Sequence, residues 1–75
     1  MQRYQSSNNN TGVIAYDIVP DGISIKFRDG SVYLYTIDST GEIHIGNMQA
    51  LAEKGEGLTT YINQHVRENY REKLV

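Results

Sequence analysis

From Val13 the chain takes on a period of two, with Ile14, Tyr16 and Ile18 alternating with Ala15 and Asp17. Such alternation lines one face of a half-buried strand. Val19-Pro20-Asp21-Gly22 follows; proline presets φ for a type I turn and glycine accepts a left-handed conformation that would close it. Ile23, Ile25 and Phe27 then alternate with Ser24, Lys26 and Arg28, and Asp29-Gly30 is a strong hairpin signal. Residues 31–37 are rich in β-branched and aromatic side chains. Strands at about 13–18, 23–28 and 31–37 joined by tight turns predict an antiparallel meander.

The period then changes. Asp38-Ser39-Thr40-Gly41 reads as a loop, and residues 42–46 are ambiguous because glycines bracket them. Met48, Leu51 and Ala52 predict a short helix over about 46–54, ended by Gly55-Glu56-Gly57. Leu58, Tyr61, Ile62, His65, Val66, Asn69 and Tyr70 fall at i, i+3, i+4, i+7, i+8, i+11 and i+12. That is one face of a longer helix, about 58–73. Its stripe has only the sheet to cover it. The expectation is α+β: a three-stranded antiparallel β-meander packed against two C-terminal helices, one short and one longer (βββαα). Residues 1–11 are polar, include Ser6-Ser7-Asn8-Asn9-Asn10, and predict a mobile tail before a single domain over 12–75.

Length narrows the picture further. With 75 residues there is room for one domain, and a chain this short buries only about 60% of its unfolded surface. Small domains often add disulfides, a metal or association; with no cysteine, disulfides and cysteine zinc sites are excluded. The net charge of −2 argues against nonspecific binding of nucleic acid. No apolar run approaches the roughly 20 residues of a membrane span, and no apolar stretch follows Arg3 as a secretory signal requires. A cytoplasmic protein without membrane contact is the default.

Candidate chemistry is sparse. His65 lies on or beside the apolar stripe, where a packed side chain with one hydrogen bond is expected. His44 sits between two isoleucines without a His or Glu at i+4, so no zinc motif forms and no metal site is expected. Asp17, Asp21, Asp29 and Asp38 mostly occupy turns. The glycines at 41 and 46 have P-loop-like spacing but lack the lysine that follows in a phosphate cradle. Gly55-Glu56-Gly57 precedes a helix, yet Glu56 would repel an anion there. These patterns predict neither catalysis, nor a cofactor, nor a small-molecule substrate.

Tyr33 and Tyr35 share one face of the third strand. With a two-residue loop at Asp29-Gly30, Phe27 opposes Val32, and the tyrosines lie beside Ser24 and Lys26 with Arg28 nearby. With a three-residue loop and Gly30 in a bulge, Ile25 opposes Tyr33, Ile23 opposes Tyr35, and both tyrosines are core. One residue of register reverses the meaning. A small core needs large side chains, which favours the second register, but the pattern does not choose. Exposed tyrosines beside Lys26 and Arg28 would make a stacking platform for single-stranded nucleic acid. The third run, Ser31-Val32-Tyr33-Leu34-Tyr35-Thr36, also has no charge or proline to defend its edge. That edge invites a second copy or a partner strand, unless the amino-terminal tail or a connecting loop covers it.

Phe27-Arg28-Asp29-Gly30-Ser31-Val32-Tyr33-Leu34-Tyr35 resembles the KTSC domain, with its central Tyr-x-Tyr after an aromatic-ended strand and a glycine turn. That family is named after the carboxyl terminus of some lysyl-tRNA synthetases and also occurs as small single-domain bacterial and phage-like proteins. Ala15-Tyr16-Asp17 is similar to the family's Gly-Tyr-Asp, and Tyr61-Ile62-Asn63-Gln64-His65-Val66-Arg67-Glu68-Asn69-Tyr70 is similar to its Phe-Asn-x-x-Ile-Arg-x-x-Tyr. The chain departs where it has Arg71-Glu72 in place of Pro-Tyr, and in glycine-rich residues 39–47. The resemblance implies a small binding module for which RNA has been suggested, an argument from association. The expected function is therefore a non-catalytic binding module. Its RNA-binding candidates are Tyr33, Tyr35, Lys26, Arg28 and Arg67; the alternative is a protein-interaction or self-association domain using the third-strand edge.

Overall fold

The turn signals close the hairpins that build the sheet. The computed structural model describes residues 1–5 and 12–75. Five antiparallel strands lie side by side in chain order: β1 (Gln2–Arg3), β2 (Val13–Val19), β3 (Gly22–Phe27), β4 (Val32–Thr36) and β5 (Glu72–Lys73). The central three match the expected meander. Val19 pairs with Gly22, so Pro20 and Asp21 alone form the first turn. Gly22 is not in the left-handed region expected of it. Glycine is needed there because a Cβ would stand 2.0 Å from the Tyr35 carbonyl oxygen on β4.

The two outer strands correct the three-stranded expectation. Gln2 pairs with Tyr16 and Arg3 with Ala15, so this part of the expected tail joins the sheet. Tyr4 follows, 5% exposed, and its hydroxyl accepts the Leu58 N–H at 3.1 Å. The remainder of that expectation, residues 6–11, lies outside the described residues. At the other edge Tyr33 pairs with Lys73 and Leu34 with Glu72. Both added strands have only two residues, too short for a period-two signal. Unsatisfied backbone groups along β2 and β4 draw them in.

The helical half also differs in detail. Ile37–Thr40 form a single turn, α1, in place of the predicted loop. Thr36 caps it reciprocally with Ser39: the Ser39 N–H donates to Thr36 Oγ1 at 3.3 Å and the Thr36 N–H donates to Ser39 Oγ at 3.1 Å. Helix α2 runs from Glu42 to Lys54 and carries Gly46 on its exposed side, where no neighbour asks for a side chain. Helix α3 (Leu58–Tyr61) widens into a π-helical turn over Ile62–Val66. The helix predicted to reach residue 73 therefore ends at Val66, and the chain turns back with Asn69 N–H donating to the Val66 carbonyl at 2.6 Å. Pairing of the following segment with β4, and packing of Tyr70 against the sheet tyrosines, compete with further helix.

Helix α2, α3 and the π turn cover one face of the sheet. Ile45, Met48 and Ala52 from α2 meet Leu58, Ile62 and Val66 over Val13, Tyr16, Ile23, Ile25 and Tyr35. Among the described residues every buried side-chain nitrogen or oxygen has a hydrogen-bond partner, as a well-formed interior requires. No helix among them is long and apolar enough to cross a membrane.

Candidate binding cleft

The loop between β3 and β4 decides where the tyrosines go. Phe27 N–H donates to the Ser31 carbonyl and Gly30 N–H to the Phe27 carbonyl, each at 2.9 Å, and Gly30 has φ +91°. That is the three-residue loop with a bulged glycine. The Asp29 carboxylate accepts the Ser31 N–H at 2.9 Å and the Ser31 hydroxyl at 2.6 Å, pinning the bulge. These two bonds hold the Asp29 carboxyl below its ordinary value, the hydroxyl bond contributing most.

The resulting register pairs Ile25 with Tyr33 and Ile23 with Tyr35, so both tyrosines point to the helical side. Tyr35 is 1% exposed, and its hydroxyl donates to the Arg67 carbonyl at 3.3 Å. Burial pushes its phenol up to about 12, with the neighbouring Tyr33 and Tyr70 adding to the shift. Tyr33 is half-buried against the core. Tyr70, arriving after the π turn, lies 4.6 Å from Tyr33 and 6.2 Å from Tyr35 between ring centroids. Phe27 meets Tyr33 edge to face at 5.7 Å. Each ring in this cluster is turned against another, at interplanar angles of 60° to 89°.

A cleft of about 350 Å³ opens beside these rings. Phe27, Tyr33, Tyr35 and Tyr70 form its aromatic wall; Asp29 and Ser31 come from the hairpin; Ile62, Asn63, Arg67 and Glu68 come from the helical end. It thus holds two carboxylates to one guanidinium. A further cation stands close by: Lys73 Nζ lies 5.9 Å from the Tyr33 ring centroid and contributes to the lowering of Asp29.

Of the residues singled out in the sequence, Tyr33, Tyr35 and Arg67 meet at this cleft, Tyr35 chiefly as core. Lys26 does not: it pairs with Val32, one step along β4 from Tyr33, and therefore faces the other side of the sheet. Arg28 is exposed at the hairpin, its N–H donating to the Gly12 carbonyl at 2.8 Å. The platform of tyrosines beside Lys26 is thereby removed. The open third-strand edge is likewise corrected: β5 pairs along it, and the Arg71 and Leu74 N–H groups each donate to it at 2.7 Å. Phe27, Asp29, Asn63, Glu68 and Tyr70 also line the cleft, and no motif in the sequence marks them as site residues. Tyr70 fits the spacing of a helical stripe that it leaves in the fold, and Asp29 shows in the sequence only its turn chemistry. His65, expected to be packed, is exposed because the π turn buries Ile62 and Val66 instead.

No protein family, curated protein or solved structure matches this chain.

Proposed function

We propose that this protein is a non-catalytic binding module that holds a basic side chain of a protein partner in the aromatic cleft. One observation carries the reading: aromatic rings and the carboxylates of Asp29 and Glu68 line the same cleft, and the chain's own Lys73 already stands over Tyr33. A cation over an aromatic face gains roughly 0.5–1 kcal/mol at an exposed site, and a nearby carboxylate adds charge complementarity. The resemblance to KTSC domains supports use of this cleft, since Tyr33, Tyr35, Ile62, Asn63, Arg67 and Tyr70 carry that resemblance and line it.

Single-stranded RNA is the second reading. It draws on Arg67 and Asn63 in the cleft and on the resemblance, and is weakened by the two carboxylates and by rings already engaged with one another. Titrating the full chain with a tri-arginine peptide, a tri-glutamate peptide and a single-stranded RNA separates the readings. Saturable shifts of the Tyr33 and Tyr70 ring signals with tri-arginine, weakened in Glu68→Gln, support the first. Shifts with RNA alone, weakened by salt and by Arg67→Ala, replace it with the second. Absence of both sets of shifts refutes use of the cleft for either ligand.

A further inference from the structure

The chain is anchored as far as Tyr70 and loosely held after it. The Asn69 carbonyl accepts the Thr40 hydroxyl at 2.6 Å, and the Tyr70 ring packs on Tyr33. From Arg71 to Val75 every residue is exposed. Backbone bonds hold this segment to β4: the Arg71 N–H donates to the Leu34 carbonyl, the Leu74 N–H to the Val32 carbonyl, and the Val32 N–H to the Val75 carbonyl. A strand that buries no side chain belongs to the least stable part of a fold. Its cations nonetheless sit in a definite pattern. Lys73 pairs with Tyr33, its Nζ 5.9 Å from the ring centroid, and its charge helps to lower the Asp29 carboxyl. Two residues earlier, Arg71 lines a second hollow, of about 430 Å³, with Asp38 and Tyr70. Tyr70 thus lines both hollows, and each holds a carboxylate beside a cation of this segment. Among the described residues the ion pair is Lys54–Glu56, so neither Arg71 nor Lys73 is locked to a carboxylate.

We infer that residues 71–75 occupy the place of the ligand: the cleft binds an extended peptide with basic side chains two residues apart, which adds to β4 in their stead. This rests on the reading of the cleft as a receptor for a basic side chain. Strand addition draws affinity from main-chain bonds and specificity from pockets for alternate side chains. The β4 edge offers the bonds, and the two hollows with Asp29 and Asp38 offer the pockets. The resident strand is not the best fit to that edge. Glu72 stands opposite Leu34, where an apolar side chain would make the better cross-strand pair. The ligand is therefore basic, apolar, basic in order along the strand. A tethered segment competes at an effective concentration of about millimolar, so the parent chain masks the affinity of the open edge.

The test is an NMR titration of the full chain, Leu74→Pro and Lys73→Ala with the capped peptide Arg-Leu-Lys-Leu-Val. Its Glu-Leu-Glu-Leu-Val counterpart and tri-arginine serve as controls. Neither substitution touches a buried residue, and unchanged Tyr35 and Ile25 signals show that the core is kept. Leu74→Pro removes the Leu74 donor and should bind the basic peptide about fivefold more tightly or better, since the competing strand is weakened. Saturating peptide should then slow exchange of the Val32 amide in that variant. Lys73→Ala should tighten binding about two- to fivefold, the weight of one exposed cation–aromatic contact. The glutamate peptide should shift nothing. Equal affinity in all three chains, or Val32 exchange unaltered by saturating peptide, overturns strand replacement; tri-arginine shifts at Tyr33 and Tyr70 would then leave the reading of the cleft in place. No shift with either basic peptide in any of the three chains overturns both.

Discussion

Tyr33 stands opposite Ile25 across the β3–β4 ladder, and this one pairing turns an aromatic strand inward and opens the cleft beside it. It depends on the three-residue loop Arg28-Asp29-Gly30, in which Gly30 has φ +91°. A Cβ at Gly30 meets nothing within 4 Å, so the expected cost of Gly30→Ala is conformational, about 1–2 kcal/mol. A lower urea midpoint with an unchanged slope checks it; equal stability would show that the bulge does not need glycine.

Gly22→Ala tests the opposite case. Its added Cβ would lie 2.0 Å from the Tyr35 carbonyl oxygen, so β3 and β4 must separate. The loss should exceed that of Gly30→Ala. Parallel chemical melts of the two variants rank them directly.

Tyr35 contributes through its ring more than through its hydroxyl. Tyr35→Phe loses the bond to the Arg67 carbonyl and should cost about 0.5–1.5 kcal/mol, whereas Tyr35→Ala should cost about 3–5 kcal/mol, as large-to-small aromatic truncations do. The phenol, ordinarily near 10, is raised to about 12 by burial. A neutral acid raised on folding contributes stability below its unfolded value and loses it as pH climbs through the folded one. Stability should therefore fall between about pH 10 and 12, and less steeply in Tyr35→Phe. Ultraviolet phenolate titration beside denaturant melts reads both.

Asp29 gives the acid-side counterpart. Its carboxyl is lowered from 3.8, first by the Ser31 hydroxyl and then by the Ser31 N–H. A depressed carboxyl contributes stability above its unfolded value and loses it as pH falls through the folded one. Carboxyl NMR should show a midpoint below 3.8 that moves back towards it in Ser31→Ala. An unmoved midpoint would mean the hydroxyl bond does not persist in solution.

The β4 edge is covered by β5 and by the residue that follows it, Leu74, whose N–H donates to the Val32 carbonyl at 2.7 Å. Leu74→Pro removes that donor. Hydrogen exchange should then accelerate at the Val32 amide, which donates to the Val75 carbonyl. Sedimentation should show a higher dimer fraction than the parent chain, because an uncharged edge is open again. No change in exchange would show that β5 contributes little to covering β4.

The central meander was legible in the chain itself. Val13–Val19, Gly22–Phe27 and Val32–Thr36 announce themselves because alternation and turn residues are local properties, and α2 is partly legible for the same reason. Three matters were decided only by the folded chain. The tyrosine face depended on one residue of loop length, since Val32, Tyr33, Leu34 and Tyr35 are all apolar enough for either side. The outer strands β1 and β5 owe their existence to neighbours they pair with, having no periodicity of their own. Tyr70 and His65 fit a helical stripe on paper, but the π turn changes the phase after Tyr61, turning His65 to solvent and releasing Tyr70 to the sheet. Contacts between residues distant in sequence outweighed local pattern at those places, and the cleft is built from such contacts.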